Sequence, residues 1–200
     1  MAQLSLEPVT WRVRALAAGG QTSADTRAAL LVLSDDAPPA YAFPSADVAG
    51  EALLAARPLE GAPGYVALAA ADAASFLEED EPLLGHPRSP YHRVDALAGS
   101  RHVRAELAGT TLAESQRPLA VFETGEPTRF YFVQADVRLD LLEPSETITT
   151  SPYLGTAVWF SARIAGTLHP DAAWTYRFPI PQQPRLAGLL AFRDDLVRER

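Results

Sequence analysis

Glu123, Arg129 and Tyr131 are the residues of this chain whose types and spacing best suit a shared chemical task. Arg129 and Tyr131 stand two apart, so on a strand they share one face. Glu123 closes the apolar run from Leu119 to Phe122, across a turn at Gly125-Glu126-Pro127. A guanidinium and a phenol on one face, with a carboxylate in reach on the neighbouring strand, can hold a small acid or a nucleobase edge by charge-assisted hydrogen bonds. The same trio also serves as a structural Arg–carboxylate pair covering a barrel mouth. Tyr153 and Trp174 are expected as the walls of the groove. Glu123 is the only plausible general base if the protein is an enzyme of transferase or hydrolase type.

These residues belong to the second of two similar segments. Residues 24–48 and 113–137 align without a gap, ending in Ala46-Asp47-Val48 and Ala135-Asp136-Val137. Val32 matches Val121, Pro38 matches Pro127 and Phe43 matches Phe132, so the apolar framework is shared. The chemistry is not: Glu123, Arg129 and Tyr131 correspond to Ser34, Ala40 and Ala42. A duplicated fold with one working copy is the expectation.

Weaker candidates have simpler explanations. Ser151 as a nucleophile requires a base oriented by a third group, and His86, His92, His102 and His169 show no spacing that supplies one; a turn residue before Pro152 is expected instead. The same histidines do not form a metal site by spacing, and without cysteine a thiolate zinc site is impossible. No metal and no cofactor are therefore expected. Arg104 and Asp136 have counterparts in Arg14 and Asp47, which favours architectural roles, Asp136 capping the turn after it. Trp159 lies in an apolar run and is expected in the core, while Trp174 and Tyr176 alternate on one strand face and can line a groove.

The elements that must position these groups read as short strands. Arg101–Leu107 alternates polar and apolar, Ala108-Gly109 signals a hairpin, and Thr110–Glu114 follows. Leu119–Phe122, Arg129–Val133 and Tyr153–Ile164 continue the pattern, and Trp11–Leu16, Ala29–Leu33, Ala40–Phe43 and Tyr65–Ala69 repeat it more weakly. Ala46–Arg57 has helical composition with Asp47 as cap and Pro58 as stop, and 135–142 allows a turn or two of helix. The acidic, Pro-rich stretch 78–92 reads as a connector, giving a degenerate first copy over 1–77 and a second copy over 93–200.

Composition excludes several classes. The chain has 200 residues, 48% of them hydrophobic, enough for one core or two small ones. It contains no Cys, no Lys and no Asn, so disulfides, Schiff bases and a Walker lysine are impossible. A net charge of -8 argues against nucleic-acid binding. Residues 1–90 carry 5 Arg against 12 acids and residues 91–200 carry 12 Arg against 13, so a small anionic ligand suits the second half. No apolar run is long enough for a membrane span, and the start lacks a signal-peptide pattern, so no membrane partner and a cytoplasmic location are expected; the oligomeric state is left open.

From Glu78 onward the chain also resembles a known family. Glu78-Glu79-Asp80-Glu81-Pro82, His86-Pro87-Arg88-Ser89-Pro90-Tyr91, Ser100-Arg101-His102-Val103-Arg104, Phe122-Glu123-Thr124-Gly125, Arg129-Phe130-Tyr131, Asp136-Val137-Arg138, Leu141-Leu142-Glu143-Pro144-Ser145, Ser151-Pro152-Tyr153-Leu154-Gly155 and Trp174 are similar to domain of unknown function 427, a bacterial and fungal family. The resemblance implies a mainly β, β-tent fold similar to the Mss4-like folds, carried in tandem. A nucleotidyltransferase label is sometimes attached to the family, but no carboxylate pair or Gly-Ser signature is visible here. Members usually read Thr-Cys-Pro-Tyr-Lys-Gly where this chain has Thr150-Ser151-Pro152-Tyr153-Leu154-Gly155. They also tend to have an aromatic, a Tyr and a Glu where it has Phe192-Arg193-Asp194-Asp195. A small polar or anionic molecule is the expected ligand; an enzyme, or a structural protein with a decayed site, is the alternative.

Overall fold

Segments that alternate buried and exposed side chains, each closed within a few residues by Gly or Pro, build this chain from antiparallel strands. The computed structural model describes residues 4–199. A first compact unit extends to Ser89 and a second begins at Pro90.

The first unit contains β1 (Leu4–Pro8), β2 (Val13–Leu16), β3 (Thr22–Thr26), β4 (Leu30–Ser34), β5 (Ala37–Pro44), helix α1 (Gly50–Ala55), β6 (Arg57–Pro58), β7 (Tyr65–Ala67), β8 (Ser75–Glu78) and β9 (Glu81–Pro82). Its sheets run β1-β4-β5-β7-β6 and β3-β2-β8-β9. The second unit contains β10 (Val94–Ala98), β11 (Val103–Leu107), β12 (Thr110–Ser115), β13 (Leu119–Glu123), β14 (Arg129–Phe132), β15 (Leu142–Ser151), β16 (Gly155–Ile164), β17 (Thr167–Pro179), β18 (Leu190–Phe192) and β19 (Val197–Glu199). Its sheets run β10-β13-β14-β18-β17-β16-β15 and β12-β11-β19. The mainly β expectation holds.

Pairing registers recur between the units. Leu30 faces Ala42 and Val32 faces Ala40 in the first; Leu119 faces Tyr131 and Val121 faces Arg129 in the second, at the same sequence offset. Ala24 bridges Val48, and Ala113 bridges Val137. The long hairpin β15–β16 has no counterpart among the described residues of the first unit.

The central sheet of the second unit is buried on both faces. One face presents Phe130, Phe132, Ala173 and Phe192 to Val103, Ala105 and Leu112 of the smaller sheet. The opposite face gathers Leu119, Val121, Tyr131, Trp174 and Tyr176 with Leu154 and Leu186. Such two-sided burial explains the near-continuous apolar runs in β13 and β14. Strand β10 ends the sheet, and its backbone is partly covered: Gln183 Nε2 donates to Val94 O (3.1 Å) and Arg185 to Ala96 O. Covering an edge in this way blocks pairing with another chain.

Local chemistry sets the turns. Ala108 and Gly109, both at positive φ, join Leu107 to Thr110 in a two-residue hairpin, as the Ala-Gly signal predicts. The helix is shorter than its composition suggests and is capped by Ala49 without a side-chain hydrogen bond. Asp47 sits in the 3-10 turn before it and accepts a bond from Thr26 Oγ1 (2.6 Å), which ties that turn to β3 instead. Asp136 likewise caps nothing: the 3-10 turns at Gln134–Asp136 and Leu139–Leu141 have no side-chain capping bond. The stretch after Glu78 is less peripheral than its polarity implies, because β8 pairs with β9 and Pro87 is fully buried. No helix among the described residues is long and apolar enough to cross a membrane.

Candidate functional site

Register places five residues in one row across the central sheet: Leu119 opposite Tyr131, Tyr131 opposite Ala191, Ala191 opposite Trp174, and Trp174 opposite Trp159. Directly opposed residues share a face. Tyr131 and Trp174 are two strands apart, which is about 9.6 Å at the usual strand spacing. Their ring centroids are nevertheless 6.4 Å apart and edge-to-face, because Ala191 between them is small enough for both rings to lean over it. Trp159 packs on Trp174 at 4.8 Å, and Tyr176 lies 6.4 Å from Tyr131.

These four aromatic rings form the apolar wall of a cavity of about 370 Å³. Its polar rim is supplied by Arg129, Thr149, Arg193 and Asp194. Thr149 belongs to the β15 strand of the extra hairpin and accepts a hydrogen bond from Trp159 Nε1 (2.9 Å), which fixes the indole on the wall. Trp159 is therefore half-buried: it packs against the aromatic-face core cluster and also lines the cavity, since its strand is the last but one of the sheet and only β15 lies beyond it.

Arg129 is held by carboxylates from two directions. Glu126 Oε2 accepts a hydrogen bond from it at 2.7 Å, while Glu123 Oε2 and Asp194 Oδ1 stand at 3.6 Å. Burial works against its charge, but the Glu126 bond and the nearby Asp194 outweigh that cost and raise its pKa above the ordinary value. Glu123 does not line the cavity. Its other oxygen accepts a 3.0 Å hydrogen bond from His92 Nε2, and only 10% of its side chain is exposed. The His92 ring stacks on Tyr153 at 3.8 Å. Tyr153 thus stands behind the cavity, on the far side of the His92–Glu123–Arg129 chain, whereas Arg129, Tyr131 and Trp174 face into it. Sequence spacing shows neither His92 nor Asp194 as part of this group; each arrives by folding from a distant segment.

Tyr131 is the unusual member. It is 1% exposed, and its buried hydroxyl has no hydrogen-bond partner from the protein. Trp174 and Tyr176 lie near enough to ease its ionisation, but neither completes a hydrogen bond of ordinary geometry. Burial dominates and pushes the phenol up to about 12. Burial also raises Tyr176 and Tyr41, the latter with help from its hydrogen bond to Glu78. Because the chain has no Lys and no Cys, ionisation between the His and Arg ranges belongs chiefly to its six tyrosines. A raised folded-state pKa means stability is intact below the unfolded value of about 10 and is lost as pH climbs towards about 12. Phenolate absorbance during an alkaline titration should show a cooperative step above about pH 10, from the buried tyrosines, that coincides with unfolding. Smooth ionisation of all six near pH 10 would contradict the buried placement.

The remaining candidates have local roles. Ser151 Oγ accepts a hydrogen bond from Tyr153 N (3.2 Å), as a turn residue does, and Leu154 is 4% exposed within the aromatic-face cluster. Arg104 binds Glu106 and Glu114 on the surface of the smaller sheet, away from the cavity. His102 pairs with Glu114. Among the described residues no three His, Asp or Glu side chains converge to hold a metal ion.

No curated protein matches the chain. The family model matches residues 95–200, so the stretch 78–94 that carried part of the resemblance lies outside the match. That model describes a domain of unknown function (DUF427), and the chain belongs to this family.

Proposed function

We propose that the protein binds a small, flat, polar or anionic molecule in the aromatic cavity of its second unit. The carrying observation is the Tyr131 hydroxyl: buried, without a protein partner, and placed on the wall of that cavity. An unpaired buried hydroxyl costs about 1–3 kcal/mol, and a ligand atom that bonds it, once the rings around it shift to admit the contact, recovers part of that cost. The aromatic rings stack a planar body, and Arg129 and Arg193 offer donors at the rim. The first unit serves as a supporting copy, consistent with the shared registers and with Ser34, Ala40 and Ala42 at the equivalent positions. A cytoplasmic setting belongs to the same proposal, since a chain without cysteine needs no oxidising compartment.

Catalysis by Glu123 is the weaker reading, because both of its oxygens are turned to His92 and Arg129. A decayed site has more support: Ser151 and Leu154, where the family resemblance implies Cys and Lys, are absorbed into a turn and a core. Thermal melting against a metabolite library separates these readings. A stabilising compound should raise the melting temperature of the wild type and not of Arg129→Ala. Tyr131→Phe should raise the unliganded stability by about 1 kcal/mol while weakening that compound. If nothing in the library stabilises the wild type, the decayed-site reading stands. Turnover of a bound compound that Glu123→Gln abolishes would establish the enzyme instead.

A further inference from the structure

Tyr131 also borders a second cleft, of about 340 Å³, whose other lining residues are not shared with the aromatic cavity. Its floor is apolar, made by Pro118, Leu119 and Leu189, and it is flanked by Arg117 and Arg185 with no acidic residue in its lining. Most arginines of the unit are placed differently. Arg93, Arg101, Arg104, Arg129, Arg138, Arg163 and Arg193 each stand beside a carboxylate. Among the described residues Arg117 and Arg185, like Arg177 and Arg198, form no ion pair, and of these four only Arg117 and Arg185 line the cleft, in a chain whose carboxylates outnumber its cations.

Arg185 is also fixed in place. One of its nitrogens donates to the Ala96 carbonyl at 2.5 Å, leaving the other guanidinium donors for a second acceptor. A tethered guanidinium loses less rotamer freedom when it binds than a free one. Two cations over an apolar floor select a molecule with a charged end and a greasy body.

We propose that this cleft binds a small organic oxyanion, a carboxylate or phosphate monoester on an apolar body, between Arg117 and Arg185. The site is separate from the aromatic cavity and does not depend on that cavity having a ligand. Calorimetric titration of the whole protein with hexanoate and with phenyl phosphate tests it, with hexylamine as the charge control. At least one anion should bind, more weakly as salt is added, and hexylamine should not. Arg117→Gln should weaken binding about tenfold, the loss of one charge-assisted hydrogen bond, without the structural cost of touching the Arg185 tether. Arg129→Ala should leave the affinity unchanged. Whichever anion responds identifies the headgroup. Failure of both anions to bind the wild type, or binding indifferent to Arg117→Gln, overturns the proposal. Binding lost in Arg129→Ala but kept in Arg117→Gln also overturns it, and assigns the anion to the aromatic cavity.

Discussion

Phe132→Ala should lower the unfolding free energy by about 3–5 kcal/mol, the range for emptying a phenylalanine site in a packed core. Phe132 is fully buried, packs edge-to-face on Phe192 at 5.7 Å, and belongs to the cluster that joins the two sheets of the second unit. Its neighbours come from strands fixed by ladder hydrogen bonds, so the space cannot collapse cheaply. Denaturant titration followed by tryptophan fluorescence measures the change, because Trp159 and Trp174 lie in the same sheet. Phe132→Leu, which keeps most of the volume, should cost much less. A loss under about 1 kcal/mol for the alanine variant would mean that the two sheets are not held together at this point.

Gly155→Ala should be almost as damaging and should also disable the aromatic cavity. Gly155 has φ +117°, which L side chains rarely adopt, and a Cβ there would lie 3.0 Å from Pro179 Cα, 3.1 Å from Ile180 N and 3.1 Å from Phe178 O. All three atoms are backbone, so no side chain can swing aside. Strain and overpacking together predict a loss of about 2–5 kcal/mol. Because Gly155 begins the strand that carries Trp159, relief by moving β16 away from β17 opens the cavity wall. A compound that stabilises the wild type should then fail to stabilise Gly155→Ala. Gly125→Ala is the control: its φ is also positive, but an added Cβ meets nothing within 4 Å, so only about 1 kcal/mol is expected. Equal effects at both glycines would show that backbone conformation alone, not contact with β17, sets the cost at Gly155.

Much of this arrangement was legible where a local rule operates. Arg129 and Tyr131 share a face because strand side chains alternate, and Ala108-Gly109 makes a hairpin because glycine tolerates positive φ. What escaped was either unusual strand chemistry or long-range meeting. β15 reads Leu-Glu-Pro-Ser-Glu, the language of a turn, yet it is a strand, because an edge position tolerates proline and a register shift between Pro144 and Ile148 disrupts the alternation. Thr149 and the cavity rim were hidden with it. Asp194 reaches Arg129, and His92 reaches Glu123, only through the sheet order, which no nearby spacing encodes. The place of Trp159 on the cavity wall, as well as against the core, is not visible in its apolar run, which does not reveal how near the sheet edge it lies.

The three-residue strand β18 sits between β14 and β17, although it follows β14 in sequence only after the whole β15–β17 excursion. During synthesis this order means that β14 emerges with one neighbour present and the other not yet made. At about 5–20 residues per second, the open side of β14 waits on the order of several seconds. Its exposed backbone and the aromatic residues beside it are then available for mispairing. The central sheet of this unit must therefore close late, around a short strand that is the last to be translated of those it contains.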